Sequence, residues 1–379
     1  MREVYLDNAA TMTKIPEAIK VEAEFYELVN ANPLRGLYKK SVQAETEVEV
    51  CRKKLLKLAR ADESYTVIFT RGTTEALNLV ASGLLRGSDG FGVVSKNSRV
   101  VVDIESHHSN ILPFKQRYKN VIIAKKMDAR ELFAAEVISL TGVSNVTGKD
   151  FTKRIKKVRK MCPKAILGVD MAQMLCHTSV DLKALKIDFM AFSGHKFGAP
   201  MGIGGLVIKK ELAEKLRPLF YGGEMVEAVS PEGKPSLAEI PERLEAGTLN
   251  IGGIYGLSRA VDFWLSRDIL KEALKVSKMK EMAKKRLLKV PGVKVLASNG
   301  PILTFQMKDV HPHDVAQVLA DSGISVRAGY LCAEPFLRYK GWGPVVRVSF
   351  SIFNNLEDVS RLVEAVSSVR EKMGVKNVR

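Results

Sequence analysis

Short apolar segments separated by amphipathic stretches dominate the first two thirds of the chain. The apolar segments are TVIFT (66–70), RVVVDI (99–104), AEVISLT (135–141), AILGVD (165–170), DFMAFS (188–193) and GIGGLVIK (202–209). Segments that are apolar throughout and alternate with helices predict a mostly parallel α/β sheet with helices on both faces. A sheet of this kind binds its ligand at the carboxyl ends of its strands.

The pattern changes after a Gly/Pro-rich stretch at 221–247. Residues 254–288 predict one long helix or a kinked pair, and a helix follows His313. The remaining elements are predicted strands at 301–307, 324–329 and 345–351, and a last amphipathic helix that begins at Leu356. Fewer and less apolar strands favour a smaller α+β domain. We therefore expect a large domain over 16–255 and a small C-terminal domain over 256–379.

Composition narrows the class of protein. The chain has 379 residues, of which 46% are hydrophobic and 27% charged, as is usual for a globular protein. No apolar run reaches the ~18 residues that a membrane span requires. The beginning of the sequence has no apolar segment behind a basic one, so export is not expected. We expect a cytoplasmic protein with no membrane association.

A net charge of +17 raises the possibility of nucleic-acid binding. The densest basic run is 153–164, where Ile155, Val158 and Met161 recur at helical spacing. The lysines and arginines of this run then form the solvated face of an amphipathic helix. No aromatic residues interleave them, as binding of a single strand would favour. The pattern therefore favours a solvated face over a nucleic-acid site.

Lys196 and Asp170 are the first candidates for chemistry. Lys196 follows a predicted buried strand directly, and Asp170 ends the strand before it, 26 residues earlier. That separation suits one crossover between adjacent parallel strands, so an amine and a carboxylate would share one edge of the sheet. Pyridoxal 5'-phosphate (PLP) needs this pair, because the amine holds its aldehyde carbon and the carboxylate keeps its ring nitrogen protonated. A structural ion pair is the alternative.

Other polar residues follow the strands at the same edge. Gly72-Thr73-Thr74 opens a helix, where backbone N–H groups and hydroxyls can bind a phosphate, although Thr is also a common helix cap. Ser193 and His195 flank the lysine and could add two phosphate donors. His107 follows the strand 99–104 and could stack on a pyridine ring and move protons.

The four cysteines carry neither metal-binding spacing nor a disulfide framework, so no metal is expected. Cys51 lies on the apolar face of the helix predicted over 44–60 and is expected to be buried. Cys176 is interpreted as structural, and Cys162 has no evident role. Cys332 lies in a loop, RAGYLCAEPF, but its spacing alone favours a structural residue.

Nine motifs in order give the sequence a specific resemblance. They are LDNAAT (6–11), FTRGTTEALNLVA (69–81), HHSNILPF (107–114), VSNVTG (143–148), VDMAQ (169–173), SGHK (193–196), EAGTLN (245–250), RAGYLCAEP (327–335) and RVSF (347–350). Together they resemble the cysteine desulfurase and selenocysteine lyase branch of the class V aminotransferases, which are fold type I PLP enzymes. The resemblance implies a seven-stranded sheet and an N-terminal segment, 1–15, that packs at the active site and on the small domain.

The resemblance also implies a role for each matching residue. Lys196 would be the Schiff-base lysine, Cys332 the sulfur acceptor and His107 the residue that stacks on the ring. The further cofactor-binding residues would be Thr73, Thr74, Asn145, Asp170, Gln173, Ser193 and His195, with Thr248 reaching the partner subunit's phosphate site. Arg347, Arg327 and Asn8 would bind or border the substrate.

The implied activity is conversion of L-cysteine to L-alanine, with the sulfur held as a persulfide on Cys332 and passed to an acceptor protein. The short loop around Cys332 resembles that of the group II desulfurases, and a homodimer is expected. The pattern leaves open a selenocysteine lyase, an aminotransferase that does not use Cys332, and a non-catalytic sulfur carrier. Departures from the family's pattern occur at Ser106, at Tyr330-Leu331 and in a short segment from Pro113 to Val143.

Overall fold

The computed structural model describes residues 2–34 and 36–375. Its strands are β1 (Val4–Tyr5), β2 (Tyr65–Thr70), β3 (Arg99–Asp103), β4 (Asn120–Ala124), β5 (Val137–Thr141), β6 (Ile166–Asp170), β7 (Phe189–Ser193), β8 (Gly204–Lys209), β9 (Val226–Val229), β10 (Pro235–Leu237), β11 (Val293–Asn299), β12 (Ile302–Met307), β13 (Ile324–Ser325), β14 (Arg327–Gly329) and β15 (Val345–Ser349). The strand segments predicted from the sequence are confirmed, with boundaries moved by at most two residues, except for 324–329. That segment is divided into β13 and β14, which belong to different sheets.

The helices that accompany these strands cover both faces of the larger sheet and one face of the smaller. They are α1 (Pro16–Glu24), α2 (Lys39–Leu58), α3 (Thr73–Gly83), α4 (His108–Arg117), α5 (Ala129–Leu132), α6 (Thr152–Met161), α7 (Leu182–Leu185), α8 (Lys210–Ala213), α9 (Ile251–Leu265), α10 (Ile269–Leu287), α11 (Pro312–Asp321), α12 (Glu334–Tyr339) and α13 (Leu356–Lys372). Short π and 3-10 turns lie at Phe25–Val29, Gly194–Lys196 and Glu242–Leu244.

Seven strands form the larger sheet in the order β2-β8-β7-β6-β5-β3-β4. All neighbours are parallel except those of β8, which runs antiparallel to β2 and β7. The expected mostly parallel, seven-stranded α/β sheet is confirmed. The hydrophobic pattern alone missed β4, because this strand lies at the edge of the sheet and has only four consecutive apolar residues between basic flanks.

The smaller sheet is antiparallel, in the order β11-β12-β15-β14. Its apolar face packs on helices α10, α11 and α13 and forms a second core. The N-terminal strand β1 pairs with β13, and Leu6 is buried in this second core. The N-terminal segment thus packs on the C-terminal region.

The region 254–288 is a pair of helices, α9 and α10, separated at residues 266–268. The break is stabilised at Asp268, whose carboxylate accepts hydrogen bonds from the backbone N–H groups of Leu270 and Lys271. Helix α9 packs on α1 and α2, and Trp264 is buried in the core beneath the seven-stranded sheet. The expected boundary at residue 255 falls inside α9, and the division into two domains stays a prediction.

Candidate active site

Five strands of the larger sheet deliver polar residues to one edge. Only β8 runs against the other strands of this sheet, so β2, β3, β5, β6 and β7 all point in one direction. The loops after these five strands therefore meet at the same end of the sheet. These loops carry Thr73, His107, Asn145, Gln173 and Lys196, respectively. The convergence expected from the strand pattern is therefore present.

The loops enclose a cavity of about 230 Å³. Nine of the predicted residues line it: Thr73, Thr74, His107, Asn145, Asp170, Gln173, Ser193, His195 and Lys196. Sequence reasoning missed four others: Ser109, Thr141, Val143 and Ala172. Ser109 could have been found from its place in the first turn after the histidine pair. Its Oγ lies 2.7 Å from Thr74 Oγ1 and 3.1 Å from His107 Nδ1.

Lys196 and Asp170 lie at the ends of neighbouring strands, as predicted. Strands β6 and β7 are parallel partners, and Lys196 belongs to the 3-10 turn that follows β7 directly. Burial lowers the pKa of Lys196, whereas the Asp170 carboxylate and a Cys332 thiolate oppose that shift. Burial raises the pKa of Asp170, whereas a hydrogen bond from the Ala172 N–H and the charge of Lys196 act to lower it. An amine of this kind loses its proton more easily than an exposed lysine.

Gly72, Thr73 and Ser193 form one end of the cavity. Gly72 has φ +154°, a conformation that L-residues avoid, and a Cβ on it would lie 2.9 Å from Ser193 Oγ. That hydroxyl accepts a hydrogen bond from the Thr73 N–H at 2.8 Å and lies 2.8 Å from Thr73 Oγ1. The glycine therefore keeps open a space that hydroxyls surround at the start of helix α3, which suits a phosphate.

His107 caps helix α4 with its ring. The backbone N–H of Ser109 donates to His107 Nδ1 at 3.1 Å, so this nitrogen carries no proton. Burial and, to a smaller extent, the charge of Lys196 together lower the pKa of His107 to about 3. The imidazole is therefore neutral at ordinary pH and can stack on a ring or exchange a proton.

Ser106 precedes the histidine pair and is one of the positions at which the sequence departs from the pattern of the family that it resembles. The serine is fully buried. Its Oγ lies 3.0 Å from Thr141 Oγ1 and accepts a hydrogen bond from Asn110 Nδ2 at 3.1 Å. These contacts join α4 to β5 and satisfy the buried hydroxyl without a buried charge.

Arg347 and Asn145 lie where the two sheets meet. Arg347 is 3% exposed, and its Nη1 donates to the Asn145 carbonyl at 3.0 Å. The Asn145 side chain donates from Nδ2 to the Leu331 carbonyl at 2.8 Å. Within the described ranges, Arg347 Nε and Asn145 Oδ1 are buried with no hydrogen-bond partner. Each atom thus lacks a partner that a bound ligand would supply.

Of the other expected substrate residues, Arg327 is half exposed and forms an ion pair with Asp7. Asn8 is buried, and its Nδ2 donates to the Ser349 carbonyl at 3.1 Å, while its Oδ1 accepts from the Thr13 N–H at 3.3 Å. The amide of Asn8 thus ties the N-terminal segment to β15. Its role towards substrate stays a prediction.

Cys332 lies on the exposed loop between β14 and α12. Leu331 and Cys332 both have left-handed backbone angles, with φ +55° and +52°. Two successive left-handed residues with side chains are costly, at roughly 1–3 kcal/mol each. The conformation is held by hydrogen bonds to both carbonyls, from Asn145 to Leu331 and from the His108 N–H to Cys332 at 2.8 Å.

Thr248 lies outside the cavity of its own chain. It is exposed in a separate groove of about 340 Å³, together with Arg71 and Phe220. The loop that carries it is anchored by Glu245, which is buried and forms a bidentate ion pair with Arg52 at 2.9 and 2.7 Å. Thr248 is thus held firmly at a surface.

The residues present suit one cofactor. A buried amine and a buried carboxylate on adjacent strands match the aldehyde and ring nitrogen of PLP, and the hydroxyl-lined end matches its phosphate. Asn145 and the neutral His107 ring line the same cavity. The fold and the cavity thus define a PLP-dependent enzyme.

The chain matches the family model "Aminotransferase class-V" over residues 4–362. It is 34% identical to a probable cysteine desulfurase of Streptomyces coelicolor, with 98% of this chain and 93% of that protein covered. It is 32% identical to cysteine desulfurase CsdA of Escherichia coli, with 97% and 94% covered. The crystal structure of CsdA as its S-sulfonic acid superimposes with a TM-score of 0.87 over 98% of this chain and 95% of that chain.

An apo structure of cysteine desulfurase from Thermococcus onnurineus also has a TM-score of 0.87, at 29% identity and with 98% and 95% covered. The chain therefore belongs to the class V aminotransferase family and, within it, to the PLP-dependent cysteine desulfurases. The resemblance stated from the nine motifs is confirmed.

Within residues 2–34 and 36–375, no helix is long and apolar enough to cross a membrane. The same residues contain no group of three or more side chains arranged to hold a metal ion.

Proposed function

We propose that this protein takes sulfur from L-cysteine, holds it as a persulfide on Cys332 and releases L-alanine. The main observation that supports this proposal is the position of Cys332. Its loop is bound to residues at the cavity, because the Asn145 side chain donates to the Leu331 carbonyl and the His108 N–H donates to the Cys332 carbonyl, both at 2.8 Å. Cys332 is also exposed, so sulfur bound there can leave to an acceptor.

Lys196, Asp170 and Arg347 each have a different role towards the cofactor or the substrate. Lys196 holds the aldehyde carbon of PLP and then carries the proton removed from the substrate's Cα. Asp170 keeps the ring nitrogen protonated, so that PLP, when bound, withdraws the electrons of the broken Cα–H bond. Arg347 binds the substrate carboxylate by donating hydrogen bonds to it. Its Nε is buried and has no partner among the described residues.

Cys332 acts in the sulfur step. Its thiolate attacks the sulfur of the substrate, the Cβ–S bond breaks, and the pair of electrons from that bond leaves with the carbon fragment that becomes alanine. A reductant or an acceptor thiol then removes the sulfur from Cys332. No zinc, oxidant or second substrate is required before that release.

The experiment compares wild type with Cys332→Ala, and with Cys162→Ala as the matched control at a partly exposed thiol outside the cavity. L-cysteine is supplied with a thiol reductant, and alanine and sulfide are quantified. Wild type and Cys162→Ala are expected to form the two products in equal amounts. Cys332→Ala is expected to retain the colour of the bound cofactor and to lose at least about 100-fold in product formation.

Unchanged product formation by Cys332→Ala would return Cys332 to a structural role. Pyruvate in place of alanine would indicate elimination, and conversion of the cofactor to its amine form without sulfide would indicate an aminotransferase. Selenocysteine supplied in parallel measures the preference between sulfur and selenium. A selenocysteine lyase would turn over only that substrate.

A homodimer is part of the proposal. Exposed apolar side chains cluster around α1 and α2: Tyr26, Leu28, Leu37, Tyr38 and Val42. Such a patch favours a protein interface. Thr248 is held at a surface away from its own cavity, which suits completion of the partner subunit's phosphate site. Thr248→Asp would place a negative charge at that phosphate site, and sedimentation together with PLP affinity measures the effect.

The sulfur acceptor is proposed to be a protein that reaches the exposed Cys332, and iron–sulfur cluster assembly is one destination for that sulfur. The four cysteines are free thiols, as expected in a reducing compartment such as the cytoplasm. Transfer of radiolabelled sulfur from Cys332 to candidate acceptors tests this part.

A further inference from the structure

Asp7 is a buried carboxylate that joins two arginines of the site. It is 5% exposed. Its Oδ1 accepts a hydrogen bond from Arg347 Nη2 at 3.1 Å, and its Oδ2 accepts one from Arg327 Nη2 at 2.6 Å. Sequence reasoning singled out both arginines and the neighbouring Asn8, but it gave Asp7 no role.

The contacts of Arg347 leave one of its three nitrogens without a partner. Its Nη1 is bound by the Asn145 carbonyl and its Nη2 by Asp7, whereas Nε is buried and has no partner within 2–34 and 36–375. Burial lowers the pKa of Arg347, and the charge of Asp7 is the largest opposing effect. Asp7 therefore supports both the charge and the orientation of the guanidinium.

The N-terminal segment does not depend on this carboxylate for its attachment. The Leu6 N–H donates to the Ser325 carbonyl at 2.9 Å, and the Ser349 N–H donates to the Leu6 carbonyl at 2.7 Å. Asn8 adds side-chain hydrogen bonds, and Arg2 forms an ion pair with Asp358. These contacts leave Asp7 with a function beyond anchoring.

We propose that Asp7 is the positioning residue of the carboxylate-binding site, holding Arg347 so that its free Nε faces the substrate's α-carboxylate. Asp7 then sets the preference for amines that carry an α-carboxylate over amines that lack one. This inference rests on the proposed function, because it takes Arg347 as the residue that binds the substrate carboxylate.

The test compares L-alanine with ethylamine, which is the same amine without the carboxylate. Both are titrated into PLP-loaded wild type, Asp7→Asn, Asp7→Glu and Asp358→Asn, and the change in cofactor absorbance gives each dissociation constant. The ratio of the two constants is internal to each variant, so partial loss of folded protein cancels. Asp358→Asn is the matched control, because Asp358, like Asp7, is buried and pairs with an arginine. Its arginine is Arg2 of the N-terminal segment, which is not part of the site.

Asp7→Asn is expected to weaken L-alanine binding about tenfold or more, as loss of a charge-assisted contact does, and to leave ethylamine binding unchanged. The KM for L-cysteine should rise by the same factor with little change in kcat. Asp7→Glu should restore part of the preference, and Asp358→Asn should retain all of it.

Three results would overturn the assignment. Equal weakening of both amines would indicate general damage, and tighter L-alanine binding in Asp7→Asn would indicate that Asp7 competes with substrate. Loss of preference in Asp358→Asn would assign the effect to the N-terminal segment as a whole. If wild type itself fails to bind L-alanine or release sulfide, the proposed function fails instead, which distinguishes the two claims.

Discussion

Lys196 follows a central strand of the seven-stranded sheet, whereas Cys332 lies on a loop that leaves the edge strand β14 of the four-stranded sheet. The lysine is held where burial shifts its pKa, and the cysteine where solvent reaches its sulfur. The difference suits their tasks. An amine that must lose its proton benefits from desolvation, while a thiol that must pass on a sulfur atom needs an open path.

The two regions also differ in what holds them. On the side of the larger sheet, the loop of Thr248 is fixed by the buried pair Glu245–Arg52. The Cys332 loop is fixed by two hydrogen bonds to carbonyls and carries two left-handed residues. Removing groups from the side of the larger sheet should therefore separate effects on catalysis from effects on stability.

The largest expected effect is that of Lys196→Ala. Loss of the amine removes both the attachment of the cofactor and the proton carrier, so activity should fall at least about 1,000-fold and the visible absorbance of the cofactor should be lost. Absorbance spectra and alanine formation measure this. Lys209→Ala, at the opposite end of an adjacent strand, is the control. A Lys196→Ala protein that keeps its colour and activity would refute the cofactor assignment.

Glu245→Gln comes next, and it should act mainly on stability. Removing one charge of a buried pair leaves the other uncompensated, which costs about 3–5 kcal/mol in the free energy of unfolding. Urea denaturation measures that value. Glu211→Gln, in an exposed pair with Lys215, should change it by no more than about 1 kcal/mol. Equal values for the two variants would show that burial does not strengthen the Glu245 pair.

His107 gives the smallest effect at neutral pH, and its contribution is seen in the pH dependence of stability. Its pKa is lowered from an ordinary 6.5 to about 3, so between these values the unfolded chain binds a proton that the folded chain does not. Stability from this residue is therefore present above pH 6.5 and lost as the pH falls towards 3. His107→Asn should reduce the slope of stability against pH by at most about 1.4 kcal/mol per pH unit.

The control for the pH experiment is His313→Asn, which removes an imidazole from the protein surface. The comparison shows what the loss of an exposed imidazole does to the slope. Denaturation curves recorded at several pH values give both slopes. An unchanged slope in His107→Asn would mean that the imidazole is as accessible to protons in the folded chain as in the unfolded chain.

Sequence reasoning reached furthest where a residue follows a buried strand. Lys196 and Asp170 were predictable because apolar strands fix the direction of the chain, and parallel neighbours bring their carboxyl ends together. The contacts of Asp7 were not predictable, because they join residues about 320 and 340 positions apart across the meeting of two sheets. The left-handed Leu331 was also missed, since neither leucine nor its neighbours signal that conformation.

The most direct test of the account locates the sulfur itself. Wild-type protein loaded with PLP is given L-cysteine without reductant, digested and mapped by mass spectrometry across Cys51, Cys162, Cys176 and Cys332. The account predicts one additional sulfur atom on Cys332 and none on the other three cysteines, with an equal amount of alanine. Alanine formation with the sulfur on another cysteine, or on none, would contradict it.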